Sequence, residues 1–432
     1  FLFPNTAYAK LNTFIPAGEA TQQGVYYLLN SLQRDPLTLI TVLAALLVAI
    51  FHKNRWSLLS ISLGTPIYIF YVIKIGGDFM SGRFFTLPLV AALFIFSQVN
   101  FEALRPAGMT VLTGIILAVG LLLPPVPAYL MLNPPDVPTI DQYGIADERL
   151  WYFSGMGLFR DGRFNPQPDH PWITEGKLAR EEHAHDVVIR EGIGLYGYYA
   201  GPQVYIIDIH ALSDPLLARL PAKRWVNWQI GHFERMIPDG YTDTMKVNEP
   251  AVTDRDLRLF ETKLELITRG ELFSTERLME IWKMNSGAYN KLIDVQRYQF
   301  PNMRHVDLEQ VSRAVATGTV WNDPHNQIFE DHGIDIALQG TQPGENMEIS
   351  LDSNDNYYIS FMAGSQELAS LLIPASSAND TGMAVYTRSV PAAARQGNCD
   401  FIRILPVRAN GSISLAYIRG DNQYSLGHLI FK

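Results

Sequence analysis

Four long apolar segments within the first 123 residues constrain this chain more than any other feature. They run over residues 37–51, 58–75, 84–99 and 109–123. With flanking residues each approaches the roughly 20 residues that a helix needs to cross a bilayer. Each is apolar on all sides, and only short polar loops separate them. Buried core helices of a large soluble protein are the alternative, but four such segments in so short a stretch favour membrane spans.

The charges of the connecting loops predict an orientation. The loop "HKNR" at 52–55 carries two cations, and such loops stay in the cytoplasm. The loop around Asp78 then lies outside, the loop at 100–106 returns to the cytoplasm, and everything after the fourth segment is exterior. We therefore expect a multi-pass membrane protein, with its C-terminal domain outside the cytoplasm and the lipid bilayer as a partner.

Charge and cysteine content exclude several classes of function. The 432 residues carry a formal net charge of −9, and phosphate-backbone contacts need clustered Lys and Arg, so nucleic acid is not an expected partner. The single cysteine, Cys399, permits neither an intrachain disulfide nor a cysteine-based zinc site. The chain begins at Phe1 without a methionine or a signal-peptide pattern, and we interpret it as the later part of a longer protein.

A proline-rich stretch at 124–139 ends the helical part and indicates a domain boundary. Beyond it the hydropathy pattern of the sequence changes twice. Mixed helix and strand patterns come first, and short segments of alternating apolar and polar residues, separated by turns, follow. The predicted parts are an exterior segment 1–35, four transmembrane helices 36–127, an exterior α/β domain 128–310 and an antiparallel β-sandwich 311–432.

Two elements of the exterior α/β domain have clear signals. Residues 203–209 form an apolar, β-rich run typical of a buried strand. Residues 253–270 predict a helix with Thr253 as N-cap, Gly270 as terminator and one apolar face, and a second helix begins at Ser274. In the sandwich, "DSNDN" at 352–356 offers oxygen ligands for calcium, but a polar hairpin turn is the simpler interpretation.

The loop "IKIGGDFMSGRF" places an acid and a base between two apolar segments. Asp78 and Arg83 could form a purely structural ion pair at the membrane interface. Ionisable residues at the end of a span are nevertheless functional candidates by default. Arg83 can bind a phosphate in bidentate fashion, and Lys74 adds positive charge one turn before Asp78. We predict a site for a lipid-linked phosphate at this loop.

A second dense stretch runs from 208 to 241. Its charged residues alternate with Trp225 and Trp228, a composition that suits sugar binding, but on composition alone a partly exposed surface with a satisfied histidine and local ion pairs is the favoured interpretation. The candidate site residues here are Asp208, Asp214, His232, Glu234 and Arg235.

Known cofactor and metal signatures are missing from the sequence. It contains no Walker loop, no HExxH and no GxSxG pattern. The two histidines of "EEHAHD" at 181–186 favour a solvated charged run over a metal site, because their spacing does not match a helical face. No organic cofactor is expected, and a divalent metal is left open.

Three stretches together resemble a known family. They are "PNTAYAKL" at 4–11, "GGDFMSGRFFTLPL" at 76–89 and "IDIHALSDPLLARLP…WQIGHFERMIPDGY" at 207–241. Their order is similar to that in polytopic bacterial GT-C-type glycosyltransferases that use polyprenyl-phosphate sugars, and most similar to terminal β-(1→2) arabinofuranosyltransferases of actinobacterial cell walls. The resemblance covers the four apolar segments and the first half of the exterior domain.

The resemblance implies an inverting transfer of an arabinofuranose-like sugar from a polyprenyl-phosphate donor to an envelope polysaccharide. In that family the carboxylate base lies in the first exterior loop, which this sequence does not contain, so no catalytic residue is assigned. It implies Lys10, Lys74, Asp78 and Arg83 for the donor phosphate, and the residues named in 208–241 for the acceptor. The sandwich is a carbohydrate-binding module by analogy. The alternatives are a membrane-anchored glycan-binding or assembly protein and a transporter of lipid-linked sugars.

Overall fold

The computed structural model describes most of the chain: residues 2–51, 55–98, 106–122, 140–148, 152, 155, 170–182, 185–224, 228–247, 249–312, 321–376, 382–407 and 423–432. It forms two compact units. The helical unit comprises Ile15–Ile207 and Gln229–His232, and the sandwich unit comprises Phe1–Phe14, Asp208–Trp228 and Phe233–Lys432. Three features of the sequence lie outside the described residues: the proline-rich stretch at 124–139, Trp225 and the first histidine of "EEHAHD".

Helices dominate the N-terminal half. They are α1 (Asn5–Leu11), α2 (Ala17–Arg34), α3 (Pro36–Phe51), α4 (Arg55–Lys74), α5 (Thr86–Ser97) and α6 (Pro106–Leu122), with a 3-10 turn at Arg83–Phe85. Helices α3 to α6 fall on the four apolar segments, so their helical nature is confirmed. Pro36 and Pro106 each begin a helix, where a missing backbone N–H costs nothing.

Membrane crossing by these helices is not established by their geometry. No single described helix is both long and apolar enough to span a bilayer. Helices α2 and α3 satisfy the criterion together, but the chain bends by 103° between them. The helices do expose many large apolar side chains, among them Ile40, Leu43, Leu63, Ile67, Phe70, Leu87, Val90 and Leu93.

Small residues and aromatic rings hold the helical unit together. Ala45, Ala49 and Ala92 are buried in one cluster of α3 and α5, where small side chains let helices approach closely. Between α2 and α4 the approach is closer still, since a Cβ on Gly24 would lie 1.9 Å from the Ile73 carbonyl oxygen. Tyr27 of α2 is completely buried.

The described part of residues 140–207 adds two helices and a two-stranded sheet to the helical unit. These are α7 (Pro171–Glu182), β1 (Val187–Arg190), α8 (Gly194–Ala200) and β2 (Tyr205–Asp208), with β1 next to β2. Strand β2 confirms the buried strand predicted at 203–209. Among the described residues of the predicted α/β domain, helix therefore outweighs strand.

Further helices begin the long third segment of the sandwich unit: α9 (Tyr241–Val247), α10 (Arg255–Arg269), α11 (Thr275–Asn285) and α12 (Val295–Gln299). Asp254, not Thr253, caps α10, because its carboxylate accepts from the N–H groups of Asp256 and Leu257. Gly270 follows the last turn as predicted, and Ser274 caps α11 as predicted. The apolar face of α10 is buried through Leu257, Phe260, Leu264 and Ile267.

Two sheets make up the C-terminal region. Their strands are β3 (Arg304–Asp307), β4 (Gln327–Glu330), β5 (Ile334–Ala337), β6 (Asn346–Asp352), β7 (Asn356–Ala363), β8 (Gln366–Ile373), β9 (Met383–Ser389), β10 (Phe401–Val407) and β11 (Gln423–Phe431), with short helices α13 (Leu308–Val311) and α14 (Ala392–Gln396). The sheet orders are β3-β5-β10-β7-β8 and β4-β11-β6-β9.

The strands confirm the prediction of a C-terminal region rich in antiparallel pairs. One core serves both sheets, with Ile336, Ile359 and Ile404 from one and Ile349 and Leu426 from the other. Only β3 and β5 run parallel among the pairings described, and β3 begins before the expected boundary at 311.

The interpretation of "DSNDN" as a hairpin turn is wrong. Strands β6 and β7, which flank it, belong to different sheets, so the turn carries the chain from one sheet to the other. Asp352 and Asp355 are accordingly buried, with 1% and 3% exposure.

Candidate functional site

Tyr27 shapes the loop between α4 and the 3-10 turn. Its hydroxyl donates to the Met80 carbonyl (3.2 Å) and accepts from the Phe84 N–H (3.0 Å). Gly77 adopts φ +72°, and a Cβ there would lie 2.4 Å from the Tyr27 ring. Only glycine meets both demands, so Gly77 serves packing of the loop and not approach to a ligand.

Asp78 and Arg83 meet in this loop as the sequence suggested. Nη2 of Arg83 lies 2.7 Å from Oδ1 and 2.6 Å from Oδ2 of Asp78. The Asp78 side chain is fully buried (0% exposed), whereas that of Arg83 is 39% exposed. The guanidinium carbon also lies 5.2 Å from the Phe79 ring centre and 5.5 Å from that of Phe84. Asp78 and the rings fix Arg83 from one side and leave the other side accessible.

Two of the three guanidinium nitrogens of Arg83 have no hydrogen-bond acceptor among the described residues. Only Nη2 is engaged with Asp78, and no hydrogen bond joins Nε or Nη1 to another described residue. Nε and Nη1 can each donate a charge-assisted hydrogen bond to an oxygen of a phosphate or carboxylate. The arrangement therefore suits an anion approaching from solvent or from the headgroup layer.

Glu148 is a neighbour of this pair that the sequence did not indicate. The Ala146 N–H donates to the Phe79 carbonyl (2.6 Å) and the Ser81 N–H donates to the Ala146 carbonyl (2.9 Å), so residues 146–148 run beside the loop. Burial raises the pKa of the Glu148 carboxyl, the Arg83 charge opposes that rise, and the Asp78 charge adds to it. Residue spacing carries no signal for Glu148, because this pairing joins segments more than 60 residues apart.

His232 reaches the same loop from the second dense stretch. Residues Gln229–His232 form a tight turn in which the Gln229 side chain donates to the Gly144 carbonyl at 2.9 Å. The His232 ring centre lies 4.1 Å from that of Phe79. Gly231, with φ +80°, passes so close that a Cβ would lie 2.7 Å from the Phe79 ring and 3.7 Å from Asp78 Oδ1. The structure thus joins the two stretches singled out in the sequence.

The other donor-site candidates occupy different positions. Lys74 is the exposed last residue of α4, at the start of the loop. Lys10 lies in the last turn of α1 and belongs to the sandwich unit. Their predicted contact with a donor phosphate stays a prediction.

Asp208 and Asp214 of the sandwich unit organise turns. Asp208 is 1% exposed and accepts from the N–H groups of His210 and Ser213, both at 3.0 Å. Asp214 accepts from the N–H groups of Leu216 and Leu217 and from the Tyr241 hydroxyl. Burial raises the pKa of Asp214 to about 6 against the opposing effect of those hydrogen bonds. Both carboxylates have structural partners, and acceptor binding by them stays a prediction.

Arg235 and Glu234 are also tied to the protein. Arg235 is 1% exposed and donates to the carbonyls of Leu220 (2.9 Å), Phe233 (2.6 Å) and Ala9 (2.6 Å). Arg235 therefore links α1 to the segments that contain Leu220 and Phe233. Glu234 lies 3.3 Å from Lys223 Nζ, and both side chains are about a quarter exposed.

The described residues hold no group of three or more His, Cys, Asp or Glu side chains suited to a metal ion. The candidate site is thus the loop of the helical unit, made of Asp78, Phe79, Arg83, Glu148 and His232. Searches against family models, curated proteins and solved structures found no match for this chain.

Proposed function

We propose that this chain is part of a membrane glycosyltransferase that transfers a sugar from a polyprenyl-phosphate donor to an envelope glycan. In this proposal Arg83 binds the donor phosphate, the apolar helices α3 to α6 lie in the bacterial cytoplasmic membrane, and the sandwich unit is exterior. The arabinofuranose-like sugar, the envelope acceptor and the inverting course of the reaction come from the sequence resemblance.

The observation that carries the proposal is that Asp78 binds only one nitrogen, Nη2, of the Arg83 guanidinium. A purely structural ion pair of a buried aspartate would be expected to use the whole fork of its arginine. Here Asp78 contacts only Nη2, Nε and Nη1 have no hydrogen-bond acceptor among the described residues, and 39% of the Arg83 side chain is exposed. An anionic ligand supplies the missing acceptors.

The surroundings of Arg83 favour an amphiphilic anion. The loop directly follows α4 and precedes α5, two helices with large exposed apolar side chains such as Ile67, Phe70, Leu87 and Val90. A phosphate on a polyprenyl chain would place its charge at Arg83 and its hydrocarbon along such helices. A soluble sugar nucleotide has no hydrocarbon chain to pack on that apolar surface.

The test uses the full-length protein in lipid nanodiscs with a radiolabelled polyprenyl-phosphate sugar and an envelope glycan as acceptor. We expect Arg83→Ala to reduce sugar transfer at least about a hundredfold, because the charge-assisted hydrogen bonds from Arg83 to the donor phosphate are lost. The unfolding midpoint of the variant should fall, because the buried Asp78 loses its counter-ion, so transfer is compared at a temperature at which both proteins are folded.

Arg190→Ala is the matched control. Arg190 also pairs with a carboxylate (Glu175, 2.8 Å), lies over an aromatic ring (Tyr196, 4.1 Å) and is 33% exposed in the same unit. This variant should transfer sugar normally. Unchanged transfer by Arg83→Ala would remove Arg83 from the mechanism. Donor binding without transfer, in protein that is otherwise folded, would replace the proposal with a carrier of lipid-linked sugars.

A further inference from the structure

The sandwich unit contains a groove that none of the candidate residues above explains. It has a volume of about 310 Å³ and is lined by α1 and the residues that follow it, by Phe260 of α10, by the C-terminal end of α11 and by the turn after α11. Its lining is aromatic and amide-rich, with Tyr8, Asn12, Phe14, Arg219, Asn285 and Asn290 as the residues that matter here.

Aromatic rings provide the flat surfaces of the groove. Tyr8 is one of the lining residues, with the Arg219 guanidinium 4.2 Å from its ring centre and the Phe3 ring edge-on at 6.3 Å. The Tyr8 hydroxyl donates to Asn285 Oδ1 at 2.6 Å, which fixes the ring. A rigid ring of this kind offers contact area at little entropic cost.

Amide groups provide the polar edge. The side chains of Asn12 and Asn290 line the groove, and no hydrogen bond joins either amide to another described residue. Each amide offers two donor hydrogens and an acceptor oxygen. Such groups complement hydroxyls, which also donate and accept.

Phe14 lies at the groove in a strained conformation. Its φ is +58°, a region that bulky side chains rarely adopt, and the residue is 53% exposed. Hydrogen bonds on either side hold it there, from the Ala222 N–H to the Thr13 carbonyl (3.1 Å) and from Gln299 Nε2 to the Phe14 carbonyl (3.2 Å). Strain of this kind costs on the order of 1–3 kcal/mol and clusters at ligand-binding positions. An exposed ring held at that cost indicates a ligand.

We propose that this groove binds a neutral oligosaccharide. Sugar rings have apolar C–H faces that stack on Phe14 and Tyr8, and hydroxyl edges that bond to Asn12 and Asn290. No carboxylate is among the described lining residues, and the one cation, Arg219, is 5% exposed, stacked on Tyr8 and donating to the Pro215 carbonyl at 2.7 Å. A charged ligand would find no accessible counter-ion.

The inference goes beyond the proposed transferase, because binding in this groove requires neither donor nor transfer. Ligand-observed NMR on the full-length protein in nanodiscs, without donor, would measure binding of cellopentaose, maltopentaose and an arabinan pentasaccharide. We expect at least one of the three to bind. Absence of binding by all three overturns the inference and leaves the transferase proposal untouched.

The decisive variant is Phe14→Gly. Glycine relieves the positive φ while removing the ring, so the unfolding midpoint should be unchanged or higher and binding should weaken by about tenfold or more. Gln339→Gly is the matched control, since Gln339 is an exposed residue with φ +51° outside the groove. That variant should keep full binding. Full binding by Phe14→Gly, or its unfolding with loss of the groove, would overturn the assignment of Phe14 as a ligand contact.

Discussion

The two units each contain a buried aspartate paired with an arginine among aromatic rings, and they use the pair differently. In the sandwich unit, Arg403 donates from Nε and Nη2 to the two Asp335 oxygens (2.8 and 2.9 Å) and from Nη1 to Gln296 (2.7 Å). Both side chains of that pair are less than a tenth exposed. In the helical unit, only Nη2 of Arg83 contacts Asp78, and 39% of the Arg83 side chain is exposed.

The difference separates a structural ion pair from one that can bind a ligand. The Phe300 ring lies 4.3 Å from the Arg403 guanidinium and helps to shield it from solvent. All three nitrogens of Arg403 donate hydrogen bonds within the protein. Arg83 has the same type of partner but an open side. Residue identity is the same in the two pairs, and the number of donors left over is what distinguishes them.

Removing the carboxylate of the closed pair should have the largest effect. We expect Asp335→Ala to lower the free energy of unfolding by about 3–5 kcal/mol, because Arg403 would stay buried without its counter-ion. Urea denaturation would measure the loss, with Asp323→Ala as the control, since Asp323 pairs with the exposed His325. Asp335→Leu combined with Arg403→Met should recover much of the stability. A loss from Asp335→Ala as small as that of the control would show that the pair is not effectively buried.

Asp214 is a third buried carboxylate to compare with Asp78 and Asp335. Its described hydrogen bonds come from neutral groups and not from an arginine. Its pKa is about 6 in the folded protein, above the value of 3.8 for an unperturbed aspartate. The unfolded state therefore releases the proton first, and stability should fall as the pH rises from about 4 to about 6, then level off. The change is on the order of 2–3 kcal/mol.

The measurement for Asp214 is the free energy of unfolding between pH 4 and pH 8. Asp214→Asn should show a pH dependence smaller than that of the wild type by this amount, because its amide stays neutral throughout the range, while Glu261, whose pKa burial raises to about 7, still contributes in both proteins. An identical slope in the wild type and the variant would assign the pH dependence to another group.

Arg83→Lys tests the open pair by removing the planar fork and keeping the charge. Lysine can still pair with Asp78, so stability should change by less than about 1 kcal/mol. Affinity for a polyprenyl-phosphate sugar should fall about tenfold, because lysine lacks the separate Nε and Nη1 donors. Arg403→Lys should show the opposite result in the same two assays, with clear loss of stability and normal affinity. Equal behaviour of the two variants would erase the distinction between the pairs.

Glu148 gives the smallest expected effect and the most specific one. Its carboxyl has a raised pKa and its negative charge lies near Arg83. As the pH falls through that raised pKa, Glu148 becomes neutral and anion binding at Arg83 should tighten by about two- to fivefold. Glu148→Gln should bind as tightly at pH 8 as the wild type does at low pH.

Titration of donor affinity between pH 4 and pH 8 would test Glu148, since the phosphodiester of a polyprenyl-phosphate sugar keeps its charge over that range. A pH dependence that persists in Glu148→Gln would place the titrating group elsewhere.

Sequence patterns were most informative where they reported local physics. The four apolar segments became helices, Ser274 and Gly270 marked helix ends, and the alternating segments after residue 320 became strands. They were least informative about pairing. "DSNDN" has the composition of a hairpin turn, yet it crosses between sheets, because sheet membership depends on partners far away in the chain.

The candidate site shows the same division. Asp78 and Arg83 were identifiable because charges are costly beside apolar segments, and five residues can span one turn of a loop. Glu148 and His232 were brought to that loop by contacts from segments that are 60 to 150 residues distant, with Gly231 packed on Phe79.

By itself, the sequence determined which segments are helices, which are strands and where an acid and a base interrupt an apolar run. These follow from hydrophobic periodicity and from capping, which act over a few residues. Only the tertiary structure decided that, among the described residues, Nε and Nη1 of Arg83 have no acceptor while all three nitrogens of Arg403 have one, and that Phe14 is held in a strained conformation at a groove. Both depend on how many partners a side chain meets once distant segments pack together.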